Sequence, residues 1–225
     1  GLCSRTMARK LRAEHFYCKL LPADVDLDTL RAQEAMGIIL CGGFAGDPAP
    51  LSETMQGLVK QSDVPVLAMG DAALAACELL GGSLSEREDE PRVIQAVPTD
   101  DAAPILTEIE TLERYVLHPR CLRLTESMVA LVAAEEQVLG FRAKERPLFA
   151  MAFQVERNDP DGVQLLINFC REECGCTAWW SNRAFADRAV EEIRRCVGEG
   201  EAVCALSGGV DSGVCALLGN MAIGQ

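Results

Sequence analysis

Between Met36 and Gly82 the chain repeats one pattern: a short apolar run, a glycine turn, then an amphipathic stretch. Met36-Gly37-Ile38-Ile39-Leu40-Cys41 closes on Gly42-Gly43, and Leu51 to Lys60 has the spacing of a helix. Val64-Pro65-Val66-Leu67-Ala68-Met69 follows, then a helical pattern from Asp71 to Leu80 that stops at Gly81-Gly82. Apolar runs without alternation are the mark of strands buried on both faces, and such strands belong to parallel sheets covered by helices. A βαβα order leaves few other architectures. The pattern predicts an α/β fold with a mainly parallel sheet.

The flanking segments extend this reading. Ser4 to His15 reads as a helix, with Met7 and Leu11 on one face. Phe16 to Leu21 alternates as a strand does and stops at Pro22. Leu27 to Ala35 reads as a helix capped by Asp26, with Leu27 and Leu30 on its buried side. Strands are predicted at Arg92–Val97, Leu112–His118 and Leu148–Gln154, and a helix at Asp161–Glu172 with Val163, Leu166, Ile167 and Phe169 apolar. Cys174 to Asn182, with Trp179 and Trp180, has no period and reads as a linker. Arg183 to Val197 is an amphipathic helix, with Phe185, Ala189, Ile193 and Val197 every four residues. The expected domains are 1–176 and 177–225.

Composition narrows the partners. The 225 residues are 49% hydrophobic, enough for a core, and the net charge of −13 excludes a nucleic-acid backbone as a natural partner. No apolar run is long enough for a membrane span, and the start carries no signal-peptide pattern. Eleven cysteines scattered through apolar runs fit a reduced, cytoplasmic setting better than a disulfide framework. Cys170, Cys174 and Cys176 cluster, but with only His15 and His118 in the chain the pattern argues against zinc.

A second strand-turn-helix pattern closes the chain. Glu201 to Leu206 reads as a buried strand, Ser207-Gly208-Gly209-Val210-Asp211-Ser212 as a turn, and the residues from Gly213 as a helix. Asp211 and Ser212 stand where capping residues stand. Free amides at such a turn, with the helix dipole behind them, suit a phosphate or pyrophosphate. No lysine follows Gly209, which excludes the common phosphate loop. The hexamer resembles the pyrophosphate loop of N-type ATP pyrophosphatases. That resemblance implies ATP held by Ser207, Gly208, Gly209, Val210 and Ser212, with Asp211 either approaching Mg²⁺ or capping the helix.

The upstream blocks carry a second resemblance. Gly37 to Gly43 is similar to the G-I-I-L-S-G-G segment of class I glutamine amidotransferases, and Val64–Leu67 through Glu78–Gly82 to their nucleophile strand-turn-helix. In this order, followed by a linker and S-G-G-V-D-S, the blocks resemble the GMP synthase family over nearly the whole chain. The resemblance implies a flavodoxin-like glutaminase domain, then the first βα unit of an adenine nucleotide α-hydrolase-like domain. It implies release of ammonia from glutamine by Cys, His and Glu, and amination of XMP to GMP with Mg-ATP. Gly42 and Gly43 would form the oxyanion loop.

Departures from the family are as informative. Its nucleophile turn, G-I-C-Y-G, reads Ala68-Met69-Gly70-Asp71-Ala72 here, so Gly70 stands at the thiol position. Its F-H-P-E reads Phe153-Gln154-Val155-Glu156. The Gln154 amide cannot take up a proton near neutrality, and Glu156, the one triad position kept, has no imidazole to orient. Cys77 lies two helical turns from Gly70, about 10 Å away by helical rise. Cys41 is expected as a buried strand residue, and His118 aligns with a non-catalytic histidine of the family. Glutamine hydrolysis is therefore expected to be lost, leaving free ammonia or a separate glutaminase as the nitrogen source.

Gly1 aligns within the family's first βα turn, so the first strand would be missing. The XMP site and dimerisation region would follow Gln225, in a longer protein or lost from a truncated one. The competing reading is a non-catalytic pseudo-glutaminase serving as a regulatory or interaction module. An asparagine or NAD synthetase relative would share S-G-G-V-D-S but not the upstream order.

Overall fold

The computed structural model describes residues 2–43, 50–86, 93–99, 103–115, 120–135, 137–153, 155 and 160–224. They form two compact units, Gly1–Thr177 and Ala178–Gln225.

The first unit is built on three parallel strands. β1 (Ile38–Cys41) pairs with β2 (Val66–Met69), and β2 pairs with β9 (Leu148–Met151). Every residue of β2 and β9 is buried. The pleat sends alternate side chains to opposite faces. Leu67, Met69, Phe149 and Met151 enter one core cluster, and Val66, Ala68, Leu148 and Ala150 enter the other.

Helices close both faces. The first cluster takes Met7 and Leu11 from α1 (Leu2–Ala13) and Leu165 and Leu166 from α5 (Pro160–Asn168). α5 continues as a π-helical turn, Phe169–Glu173, and Phe169 meets Phe149 edge-on with ring centroids 6.1 Å apart. The second cluster takes Leu58 and Val59 from α3 (Glu53–Lys60) and Ala72, Ala73, Leu74, Ala76 and Cys77 from α4 (Asp71–Leu79). The α/β class is as expected.

Beyond β9 the sheet is antiparallel. β3 (Ser83–Glu86), β4 (Val93–Pro98), β5 (Leu112–Tyr115), β6 (Arg120–Arg123), β7 (Met128–Ala134) and β8 (Gln137–Ala143) give the order β1-β2-β9-β8-β7-β4-β5, with β6 joining β3 to β8. The parallel part is thus smaller than expected. β7 and β8 are joined by a short connection through Glu135, whose φ is 50°, and so short a connection can only join antiparallel strands.

Two local expectations change. Phe16–Leu21, expected as a strand, is coil: Phe16 plugs the first core cluster, while Leu20 and Leu21 lie exposed. The Arg12 guanidinium donates to the Cys18 carbonyl at 2.9 Å, occupying an acceptor that strand pairing would need. The second helix shortens to α2 (Leu27–Arg31) and buries no residue fully; Leu27 is exposed and Leu30 only packs against the second cluster. Its cap is as expected, since the Asp26 carboxylate accepts the Thr29 amide at 2.7 Å.

The second unit holds α6 (Asn182–Val197) and α7 (Val210–Ile223). The Ser181 hydroxyl caps α6 by accepting the Ala184 amide at 3.0 Å. Arg194 donates from Nε to the Ala222 carbonyl at 2.8 Å and from Nη2 to the Met221 carbonyl at 2.9 Å, so one cation serves the C-terminal ends of both helices. Glu201–Leu206, expected as a buried strand, is exposed coil, and Val203 is fully exposed. A strand needs a neighbour for its amides and carbonyls, and the described residues of this unit supply only helices and coil. The expected βα unit is therefore a loop and a helix.

Candidate functional site

In the first unit the site is the turn between β2 and α4. Gly70 occupies it with φ 60° and ψ −130°, a conformation costing a residue with a side chain about 1–3 kcal/mol. The turn is held from three sides. The Gly70 amide donates to the Met151 carbonyl at 2.9 Å, the Gly42 amide to the Met69 carbonyl at 3.0 Å, and the Asp71 amide to the Gly43 carbonyl at 2.9 Å. A Cβ on Gly42 would collide with the Ala72 backbone nitrogen and lie 2.8 Å from both Asp71 N and Met69 O. Only a glycine lets the Gly42-Gly43 loop lie this close to the first turn of α4.

This arrangement has the backbone of a strand-turn-helix elbow with a glycine at its tip. In a nucleophile elbow the amide after the nucleophile faces the developing oxyanion. Here that amide, from Asp71, already donates to Gly43. Gly70 offers no side chain, and Asp71 brings a buried carboxyl group to the helix N-terminus. The sequence-predicted Gly42, Gly43 and Gly70 are thus brought together. Gln154, Glu156 and His118 lie outside the described residues; Phe153 and Val155 are buried.

Two thiols lie near the turn in sequence, and neither is placed as a free nucleophile at it. Cys77 is buried in α4 and points its sulfur at the Arg123 carbonyl, 3.8 Å away. Burial, helped by the nearby Glu78 charge, pushes its thiol up to about 11, so it stays protonated at neutral pH. Cys41 is half-buried in β1 against the first core cluster.

In the second unit Ser207 to Asp211 are all exposed. Gly208 turns the chain with φ 80°. The N-cap of α7 is Gly209, with no side-chain cap, which corrects the capping role expected for Asp211 and Ser212. Asp211 stands exposed in the first turn, and Ser212 instead closes the loop. The Ser212 hydroxyl donates to the Gly209 carbonyl at 3.0 Å, accepts the Ser207 amide at 3.3 Å and lies 3.0 Å from the Ser207 hydroxyl. The first-turn amides of α7 have no helical acceptor.

Comparison with known proteins follows the same outline. No family model matches the chain. It is 32% identical over 228 residues to a GMP synthase (glutamine-hydrolysing) of Thermomicrobium roseum, spanning 99% of this chain and 42% of the relative. The chain is similar to GMP synthases from end to end. The synthase of Carboxydothermus hydrogenoformans is 32% identical over 236 residues, covering 100% of this chain and 45% of its own length. The chain therefore spans less than half the length of these curated synthases.

Solved structures add the fold. A candidate GMP synthase subunit of Thermoplasma acidophilum superposes with a TM-score of 0.64 at 20% identity, over 76% of this chain and 88% of its own. A glutamine amidotransferase of Thermotoga maritima superposes at 0.55 and 14% identity, over 97% and 92%. The fold is that of glutamine amidotransferases.

Of the Cys170, Cys174 and Cys176 cluster, the structure pairs the last two. Among the described residues no group of three His, Cys, Asp or Glu side chains is set to hold a metal ion. Cys174 and Cys176, however, share a side-chain hydrogen bond. The C-G-C spacing was the available signal.

Proposed function

We propose that this chain is a GMP synthase-like glutamine amidotransferase domain that no longer hydrolyses glutamine, followed by a loop that holds ATP pyrophosphate. In a protein of the synthase relatives' full length, XMP would be aminated to GMP with Mg-ATP. The ammonia would be free or come from a separate glutaminase. The observation that carries the reading is Gly70 at the elbow, with the adjacent Asp71 amide spent on Gly43. Acyl transfer needs a nucleophile and a base that takes its proton, and removing the nucleophile costs on the order of a millionfold in kcat. The Asp71 carboxyl group lies buried in the same first turn of α4.

The first-turn amides of α7, which have no helical acceptor, fit phosphate oxygens as donors, and the Ser212 hydroxyl would join them by turning from the Gly209 carbonyl it now serves. Asp211, exposed in the first turn of α7, is the carboxylate that would hold Mg²⁺. The ion would neutralise charge on the phosphate oxygens. The exposed coil at 201–206 favours a second reading, in which the chain is a non-catalytic regulatory module that binds no ATP.

Two measurements test these readings. The purified chain, and its Gly70→Cys variant, are incubated with glutamine and glutamate is followed by NMR. No glutamate above spontaneous hydrolysis is expected from either, and sustained turnover by the wild-type chain would overturn the loss of hydrolysis. Mg-ATP binding by calorimetry is expected for the wild type and strongly weakened in Ser207→Ala/Ser212→Ala. No binding by the wild type selects the regulatory module.

A further inference from the structure

Cys174 and Cys176 lie where the π-helical turn after α5 ends, on either side of Gly175. Gly175 has φ 64°, and a Cβ there would meet nothing within 4 Å, so glycine is required by the backbone alone. This left-handed residue folds the tripeptide back on itself. The Cys174 amide donates to the Phe169 carbonyl at 3.0 Å and the Cys176 amide to the Cys170 carbonyl at 2.8 Å, which pins both ends of the turn. The two thiols face each other closely enough to share a hydrogen bond, and both are half-buried. A disulfide needs Cα atoms within about 7 Å, a span that a folded-back tripeptide satisfies.

We propose that Cys174-Gly175-Cys176 is a redox-active dithiol that closes to a disulfide by exchange with a small-molecule disulfide of the glutathione class. The roles of the two sulfurs follow from their surroundings. The hydrogen bond from Cys174 holds the Cys176 thiol below the ordinary thiol value, so Cys176 is the attacking thiolate. Cys174 is held above it, first by that same hydrogen bond and then by burial. Its sulfur sits where a Cβ on Gly37 would collide with it, at the entry to β1. Nearby Cys170 is buried and pushed up to about 12, first by desolvation, and stays a thiol.

In the first step Cys176 sulfur bonds to one sulfur of the disulfide. The disulfide's own bond breaks, and one glutathione leaves as thiolate and takes the proton that Cys176 gave up. In the second step Cys174 loses its proton and attacks Cys176 sulfur, and the second glutathione leaves and takes that proton. Two protein thiols are oxidised and one small-molecule disulfide is reduced to two thiols.

The test uses the whole chain, equilibrated in buffers of rising oxidised-to-reduced glutathione ratio, then acid-quenched, digested with trypsin and weighed. The peptide Glu172–Arg183 contains these two cysteines and no others, while exposed Cys196, Cys204 and Cys215 share the C-terminal peptide. The first peptide is expected to become two hydrogens lighter, without bound glutathione, at ratios that leave most of the C-terminal peptide unmodified. In Cys174→Ser the same peptide is expected to retain glutathione on Cys176, and in timed exposures quenched before equilibrium Cys176→Ser is expected to acquire glutathione on Cys174 at least tenfold more slowly. A wild-type peptide that carries glutathione but never closes overturns the proposal. Equal rates of uptake by the two variants overturn the assigned roles.

Discussion

Gly42→Ala tests the contact on which the elbow rests. The added methyl would meet three backbone atoms, Ala72 N, Asp71 N and Met69 O, all inside 3.0 Å. None is the far end of a flexible side chain, so relief means moving the end of β2, the start of α4 or the loop itself. Overpacking of this kind costs about 1–3 kcal/mol. Moving the loop away instead gives up the Gly42–Met69 and Asp71–Gly43 hydrogen bonds, about 1 kcal/mol each. Stiffening of the unfolded chain returns about 0.4–1 kcal/mol. The net expectation is a loss of roughly 0.5–2.5 kcal/mol. Gly57→Ala is the control: Gly57 lies inside α3 with nothing within 4 Å of its Cβ position, and a gain of about 0.5–1 kcal/mol is expected there. Urea melts followed by far-UV circular dichroism suit the comparison, because both tryptophans lie in the second unit. A Gly42→Ala midpoint equal to or above that of wild type would refute the close approach of loop and helix.

Two further outcomes follow from polar groups in the first unit. Asn168 is buried, donates to the Ile105 and Thr107 carbonyls at 3.1 and 2.7 Å, and accepts from Gln164 at 2.8 Å. Asn168→Ala strands buried acceptors and is expected to cost about 1–3 kcal/mol in the same melts. Glu173 is half-buried, and desolvation raises its carboxyl above the ordinary 4.5 despite the hydrogen bond from the Ile105 amide. A raised folded-state value means its contribution is full at low pH and is lost as pH rises through that value. Glu173→Gln keeps an acceptor for Ile105 without the charge. It should match wild type near pH 4 and exceed it at neutral pH, and melts at both pH values check the sign.

The legible parts of the fold were those whose signal is local. β1, β2 and β9 are apolar runs, and the Asp26 cap and the glycine stops of α4 are marked by residue type. β7 is apolar at every position and shows no alternation in sequence, and its pairing shifts register near Val132, so neither its face nor its antiparallel partner is marked by residue type. Phe16–Leu21 alternates but has no partner strand, and Glu201–Leu206 is apolar enough for a strand in a unit that offers none among its described residues. Pattern reports what a segment can bury, not whether a neighbour is present to bury it. At the site, Gly70 could be found by matching residues. The Asp71–Gly43 bond could not, since it joins backbone groups brought together only by the folded sheet.

The place of β2 between β1 and β9 sets a schedule for synthesis. Val66 pairs with Ile38 on one side and with Leu148 on the other, and the second partner is made long after the first. Until β9 leaves the ribosome, an entirely apolar strand has one edge bare, and the loop that must close over it is long. The nascent chain spends that interval open to aggregation, so chaperone supply and a slower translation rate should govern its yield more than the stability of the finished domain.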